Sequence, residues 1–315
     1  MTSVTAFAPA TVSNVCCGFD VLGFAMHEPG DEVTAHWIDG PESVGPGGVV
    51  VEEVAGDAGR VPREASRNTA GVAAAAVLRT AGVNRAVGIR IRKGLPLSSG
   101  LGGSAASAVA AAVAVDALSR AGLSRESLLA CAFEGERDAA GSAHADNIAP
   151  ALFGGFVLVR SVAPPDIVSL PVPPGLTAVV VHPELEIETA RARALLGTTV
   201  PLADAIRQWA NLGALVDALH RADFGLLSRS LEDTIAEPRR APLVPGLTAI
   251  KRAATEAGAL GAGLSGSGPS LFALCPDRAV AEQVAAAMAL EVRTQIGGAS
   301  QTFISAIAAT GARVV

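Results

Sequence analysis

The segment "PLSSGLGGSAASAVAAAVAVDAL", residues 96–118, sets a run of glycine and serine directly before an alanine-rich apolar stretch. The pattern predicts a bare turn that opens a helix. The first turn of a helix leaves about four N–H groups without intrahelical partners, and the aligned peptide dipoles make that end positive. Gly100, Gly102 and Gly103 let the backbone approach an anion with no side chain in the way. Ser98, Ser99 and Ser104 add hydroxyl donors, while Ala105 and Ala106 keep the first turn clear. The segment therefore reads as a polyphosphate cradle, against the plainer alternative of a structural glycine turn capped by Ser104. Two other nucleotide motifs fail on context. A P-loop needs Gly-Lys-Ser/Thr, and Ala105-Ala106 stands where the lysine would be. A dinucleotide fingerprint is nominally met by Gly100, Gly102 and Ala105, and again by Gly261, Gly263 and Gly266. The first has a proline between strand and loop and no acidic residue closing a following strand; the second follows a helix and precedes a strand.

Composition sets the frame around this loop. Of 315 residues half are hydrophobic and 17% charged, which predicts a folded chain with a substantial core. A net charge of −6, 3% aromatic residues and no tyrosine argue against a nucleic-acid surface. No apolar run reaches the roughly 18 to 20 residues of a membrane span, and "MTSVTAFAPA" lacks the basic start of a signal peptide, so no membrane partner and a cytoplasmic location are expected. Cys16, Cys17, Cys131 and Cys275 match neither a zinc spacing nor a disulfide framework and are expected to be buried thiols.

Along the chain, "SVTAFAP", "EVTAHWI" and "AVGIRIRK" alternate as half-buried strands, and residues 40–60 suggest turns around one short strand. Helices are predicted from Ser66 or Asn68 to Gly82, from the quoted loop, and from Ser124 over "SRESLLACAFEGERDAAG". "GGFVLVRSV" and "GLTAVVVHP" read as strands around a proline-rich connector at 163–175. Helices follow near 189–196, 202–220, 223–236, 246–258 and 277–290, with closing strands from 301. Strands and helices interleave without a strict βαβ period, so the fold class is α+β, with domains at 1–162 and 163–315.

Several side chains carry potential chemistry. Glu136 falls on the helical stripe of Leu129, Ala132 and Phe133, so its carboxylate faces inward. A buried charge is costly unless a metal ion or an arginine resolves it. Glu134 and Asp138 read instead as surface partners of arginines. In "HADN", His144, Asp146 and Asn147 are placed in a loop, with loop stabilisation as the plain alternative to a ligand role. Asp20 sits in the apolar run "GFDVLGF" and needs either a cation or buried hydrogen bonds. Ser265, Gly266, Ser267 and Gly268 form a second bare loop that could close over the same triphosphate.

With these segments in place, "PLSSGLGGSAAS" resembles the ATP motif of the GHMP kinases. "FAPATVSNVCCGFDVLGFAM" at 7–26 and "GAGLSGSGPSLFAL" at 261–274 are similar to the family's first and third motifs. The first motif, with "HADNIAPALFGGF" at 144–156, is similar to the family's homoserine-phosphorylating branch. The chain departs from the pattern at Gly103, where a serine is usual, and at Cys16-Cys17, which occupy a glycine-rich turn. The resemblance implies a two-domain fold with the active site at the domain junction and a final strand that can return to the first domain. It implies ATP and Mg²⁺, with the nucleotide on Pro96, Leu101 and the loop residues above, Asn68 near adenine, and the metal on Ser104 and Glu136. It further implies L-homoserine as substrate, giving O-phosphohomoserine on the route to threonine. Asn147 would meet the hydroxyl with His144 nearby, Asn14 and Asp20 the ammonium side, and Thr189, Arg193 and Arg240 the carboxylate, for which arginine's planar fork is suited. A mevalonate-type kinase and a non-catalytic ATP-binding homologue are the alternatives, and a homodimer is possible.

Overall fold

β1 (Ser3–Ser13) and the 17-residue β2 (Leu22–Ile38) form an antiparallel ribbon that organises the larger of two sheets. The molecule is a computed structural model describing residues 2–38, 48–140 and 144–315; the turns expected over 40–47 lie outside the described residues. β4 (Ala86–Arg92) lies antiparallel to the later half of β2, and β3 (Val49–Ala55) runs parallel to β4. In β4, Val87, Ile89 and Ile91 are buried while Arg90 and Arg92 face water, the two-residue alternation of a sheet with one wet face. β5 (Phe156–Val162) pairs with the start of β2, β6 (Pro165–Leu170) pairs with β5, and β11 (Arg313–Val314) returns to the outer edge of β1.

One helix sits at the centre of this half. α2 (Gly103–Ser119) lies on β1 and β2 and is flanked by α1 (Thr69–Thr80), α3 (Arg125–Ala140) and α4 (Ala145–Phe153). Eleven of its seventeen residues are buried. A helix packed on nearly every side needs small side chains, and that accounts for its alanines.

The second sheet orders β10 (Ser300–Ala306), β7 (Thr177–Pro183), β9 (Leu271–Cys275) and β8 (Gly261–Leu264), all antiparallel. α9 (Leu247–Glu256) and α10 (Arg278–Gln295) cover it. The two halves share an apolar seam in which Phe24 of β2 touches Phe156 at 5.0 Å and Phe272 of β9 at 6.1 Å between ring centroids. α5 (Thr189–Ala194) stands beside this sheet's loops, while α6 (Leu202–Arg221) and α7 (Phe224–Ser230) pack onto the first core through Leu215, Leu219 and Leu227.

The structure corrects four expectations. The connector at 163–175 contains β6, an edge strand that tolerates Pro165 at its start. A division after residue 162 would therefore cut the β5–β6 hairpin, and the sheets change over residues 171–176 instead. The "HADN" residues open α4 rather than a loop, with Pro150 inside the helix obscuring it in the sequence. The helix expected over 223–236 stops at Ser230 as α7, and a turn around Asp233 separates it from α8 (Ala236–Arg240).

Candidate active site

A cavity of about 540 Å³ lies where the α2 entrance, the start of α4 and the loops of the second sheet converge. Every residue singled out above for nucleotide, metal or substrate lines it except Leu101, Ser265 and Gly268. The entrance of α2 has no side-chain cap, so its first-turn N–H groups stay available, and Gly102, Gly103, Ser104 and Ala105 all border the cavity. Gly102 has φ +66°, and a Cβ there would lie 2.1 Å from Thr11 Oγ1 and 2.8 Å from Asn147 Oδ1. Glycine is required at this point by both conformation and space. Position 103 differs, since a Cβ there would meet nothing nearer than 3.5 Å, which leaves room for the family's usual serine.

Beside this entrance stands Glu136, buried at 3% exposure. Its Oε2 accepts from Ser104 Oγ at 3.1 Å, while Oε1 has no partner. Burial pushes its carboxyl up to about 7, with the Ser104 hydrogen bond and the Lys93 charge pulling the other way. Glu134 and Asp138, by contrast, pair with Arg79 and Arg137 on the surface. An orphaned carboxylate oxygen next to a hydroxyl is a hard oxygen donor set, which suits Mg²⁺ completed by phosphate oxygens and water. No cluster of three or more acidic, histidine or cysteine side chains able to hold a metal by themselves occurs among the described residues.

Lys93 and its partners carry no signal that the sequence alone displays. Its ammonium is buried against Asp31 and also donates to Gly103 O at 2.7 Å and Ser107 Oγ at 2.9 Å. Asp31 additionally accepts from Ser107 Oγ at 2.7 Å and Gly94 N at 3.0 Å. This network ties β2, the end of β4 and the first turn of α2 together and holds the Lys93 ammonium at the cavity wall.

The opposite end gathers the charged residues. Asp20 Oδ2 accepts from Arg193 Nη1 at 2.5 Å, and both guanidinium groups, Arg193 and Arg240, lie over the Phe19 ring at 5.4 and 5.2 Å. The residues expected at opposite poles of a substrate are thus paired with each other. Arg240 is buried and held by Gly266 O at 3.0 Å and Ala192 O at 3.4 Å. Asn147 Oδ1 accepts from Thr11 Oγ1 at 2.8 Å. Asn14 Oδ1 accepts from Asp20 N at 3.0 Å, and its Nδ2 donates to Gly266 O at 2.8 Å. Thr189 meets Ser267 at 3.4 Å between hydroxyls. His144 precedes α4, and burial pulls its imidazole below the ordinary value. Asp146, for which the sequence offers loop stabilisation or a ligand role, is buried on the cavity wall. It accepts from Asn14 N at 3.3 Å, and burial, then the Asp20 charge, raises its carboxyl to about 7.

Asn68 and the 265–268 loop make structural contacts of their own at the wall. Asn68 caps α1 by accepting from Ala70 N and Gly71 N at 3.0 and 3.2 Å, and its Nδ2 donates to Pro62 O at 2.7 Å, so its carboxamide shapes the wall. The 265–268 loop packs against the first loop. Ser265 Oγ donates to Gly100 O at 2.7 Å, while the amides of Gly266 and Gly268 are engaged by Ser13 O and Ser265 O. It braces the cradle from behind, and only Gly266 and Ser267 reach the cavity. Arg60 and Arg67, unremarked in the sequence, line the wall near Asn68.

Comparison with known proteins agrees with this geometry. Residues 68–155 match the family described as GHMP kinases N terminal domain, and residues 215–293 match GHMP kinases C terminal. The chain is 44% identical to a homoserine kinase of Chloroherpeton thalassium over 321 residues, covering 100% of both chains. It is 41% identical to one of Xylella fastidiosa, covering 98% of this chain and 93% of that one. A crystal structure of homoserine kinase from Cytophaga hutchinsonii superposes with a TM-score of 0.95 at 44% identity, over 100% of this chain and 98% of that one. The L. major mevalonate kinase in complex with R-mevalonate shares the fold at 19% identity, with a TM-score of 0.72 over 95% and 94% of the two chains.

Proposed function

The chain belongs to the GHMP kinases, in the homoserine kinase family, and from that premise we propose that it transfers the γ-phosphoryl group of ATP to the side-chain hydroxyl of L-homoserine. The observation that carries the reading is a single cavity with an uncapped, glycine-lined helix entrance at one end and a set of opposite charges at the other. Phosphoryl transfer asks the protein chiefly for alignment and charge neutralisation. The α2 amides and Ser104 receive the polyphosphate, with the Lys93 charge beneath. Glu136 and Ser104 are the residues that would hold Mg²⁺, which when bound offsets charge on the phosphate oxygens.

At the other end the substrate ammonium takes the place of Arg193 beside Asp20, and its carboxylate meets Arg193 and Arg240. Asn147, its oxygen already engaged by Thr11, has its Nδ2 hydrogens left for the substrate hydroxyl. The hydroxyl oxygen forms the new bond to the γ-phosphorus as the bond to the β,γ-bridging oxygen breaks. The hydroxyl proton passes to a γ-phosphate oxygen, without a side-chain base. A mevalonate-type substrate brings a carboxylate but no ammonium for Asp20. An ADP-release assay across homoserine, threonine, mevalonate and galactose tests the assignment: turnover with homoserine alone is expected, and turnover with mevalonate in its place overturns it. Asn147→Ala should lower kcat more than it raises the KM for ATP, whereas the reverse pattern removes Asn147 from this role.

A further inference from the structure

Arg240 closes α8, a helix of five residues that cannot fix a guanidinium by its own stability. What holds the helix itself is a pair of carboxylates outside the wall of the large cavity. Asp233, buried at 9% exposure, accepts four hydrogen bonds from neutral donors. Its Oδ1 takes Gln208 Nε2 at 3.1 Å, Ile235 N at 2.8 Å and Ala236 N at 2.9 Å, and its Oδ2 takes Glu237 N at 2.9 Å. The start of α8 is thereby pinned to α6. Glu237, one turn before Arg240, points the other way: its Oε1 pairs with Lys251 of α9, and its Oε2 accepts from Leu264 N at 3.2 Å.

Leu264 ends β8 and leads directly into the 265–268 loop, whose Gly266 carbonyl accepts from Arg240 Nη1. Glu237 and Arg240 are thus two rungs between α8 and the same stretch of chain, separated by one helical turn on one side and two residues on the other. Sliding or rotating α8 would break both rungs together. The Gly266 carbonyl also takes Asn14 Nδ2, so the arrangement reaches the substrate end of the first sheet.

We propose that Asp233 and Glu237 are positioning residues for amino-acid recognition: they lock α8 against the 265–268 loop so that Arg240 presents its guanidinium to the substrate carboxylate, and neither touches substrate. The proposal rests on the reading of Arg240 as a carboxylate ligand. Steady-state kinetics of Glu237→Gln, with Asp233→Asn as the second variant should the first fail to fold, test it against Arg240→Ala and the double variant. Glu237→Gln should raise the KM for homoserine about ten-fold with the KM for ATP within about two-fold, and should add less than about two-fold in the Arg240→Ala background. Equal increases in both KM values, or an undiminished effect without Arg240, would mark a merely structural residue and overturn the proposal. If Arg240→Ala raises the homoserine KM but Glu237→Gln does not, the proposal alone fails. If Arg240→Ala itself leaves that KM unchanged, the carboxylate reading falls and the proposal with it.

Discussion

Replacing Asp146 by asparagine should stabilise the protein at alkaline pH. The carboxyl is fully buried on the cavity wall and titrates at about 7 against an ordinary 3.8, with burial as the first cause and the nearby Asp20 charge as the second. Because folding favours its protonated form, the associated stability is complete below pH 3.8 and is lost as the pH rises through about 7. At about 1.4 kcal/mol per pH unit, the whole interval amounts to about 4 kcal/mol. Between pH 5 and pH 8 the part that changes is about 2.5 kcal/mol. Asparagine does not titrate, and its oxygen can still accept from Asn14 N, which now donates to Oδ2 at 3.3 Å. Urea unfolding of both proteins at pH 5, 6.5 and 8 isolates the effect, since Glu136, also raised to about 7, titrates in both and cancels in the difference. The stability of the variant relative to the parent should rise by about 2 to 3 kcal/mol across that range. A difference that stays flat, or that is largest at pH 5, would refute the argument that Asp146 is a desolvated carboxyl.

Two further outcomes test the cradle and the metal corner. Gly102→Ala should destabilise by about 2 kcal/mol or more, from a left-handed backbone together with contacts to Thr11 and Asn147, whereas Gly103→Ser should stay within about 0.5 kcal/mol; equal effects in thermal melts would contradict the difference in space. Glu136→Gln should weaken calorimetric binding of the Mg²⁺ form of a non-hydrolysable ATP analogue about ten-fold or more while leaving metal-free nucleotide binding within about two-fold; equal losses with and without Mg²⁺ would remove Glu136 from metal coordination.

The features that the sequence displays are those with a local physical cause. The α2 entrance is legible because four glycines and serines precede a helix within a dozen residues, and Glu136 because its inward face follows from helical periodicity alone. Asn68 is legible as a cap for the same reason. The rest depends on distance along the chain. Lys93 meets Asp31 across 62 positions, and Arg193 meets Asp20 across 173. Nothing near either residue announces its partner. The bareness of the 265–268 loop does not by itself disclose its role, because whether a glycine loop offers its amides or engages them is decided by what it rests on, here Ser13, Gly100 and Ser270. Pro150 and Pro165 hid α4 and β6 because helix and strand both tolerate proline at positions that only tertiary packing defines.

The Asp20–Arg193 pair bears on how the site selects its substrate. The two side chains are 36% and 47% exposed, and an ion pair so wetted contributes less than about 1 kcal/mol. Parting it costs little when each member receives a replacement of the opposite sign. In the binding mode proposed above, a zwitterion would supply both replacements from one carbon, its ammonium facing Asp20 and its carboxylate engaging Arg193 and the buried Arg240. In that mode an alcohol bearing a carboxylate alone would draw Arg193 away and leave Asp20 uncompensated beside Asp146, a second carboxyl raised first by burial and then by Asp20's charge. On that proposal the penalty for a missing ammonium would arise from charges inside the protein, and discrimination against anionic alcohols would need no steric barrier in a cavity of about 540 Å³.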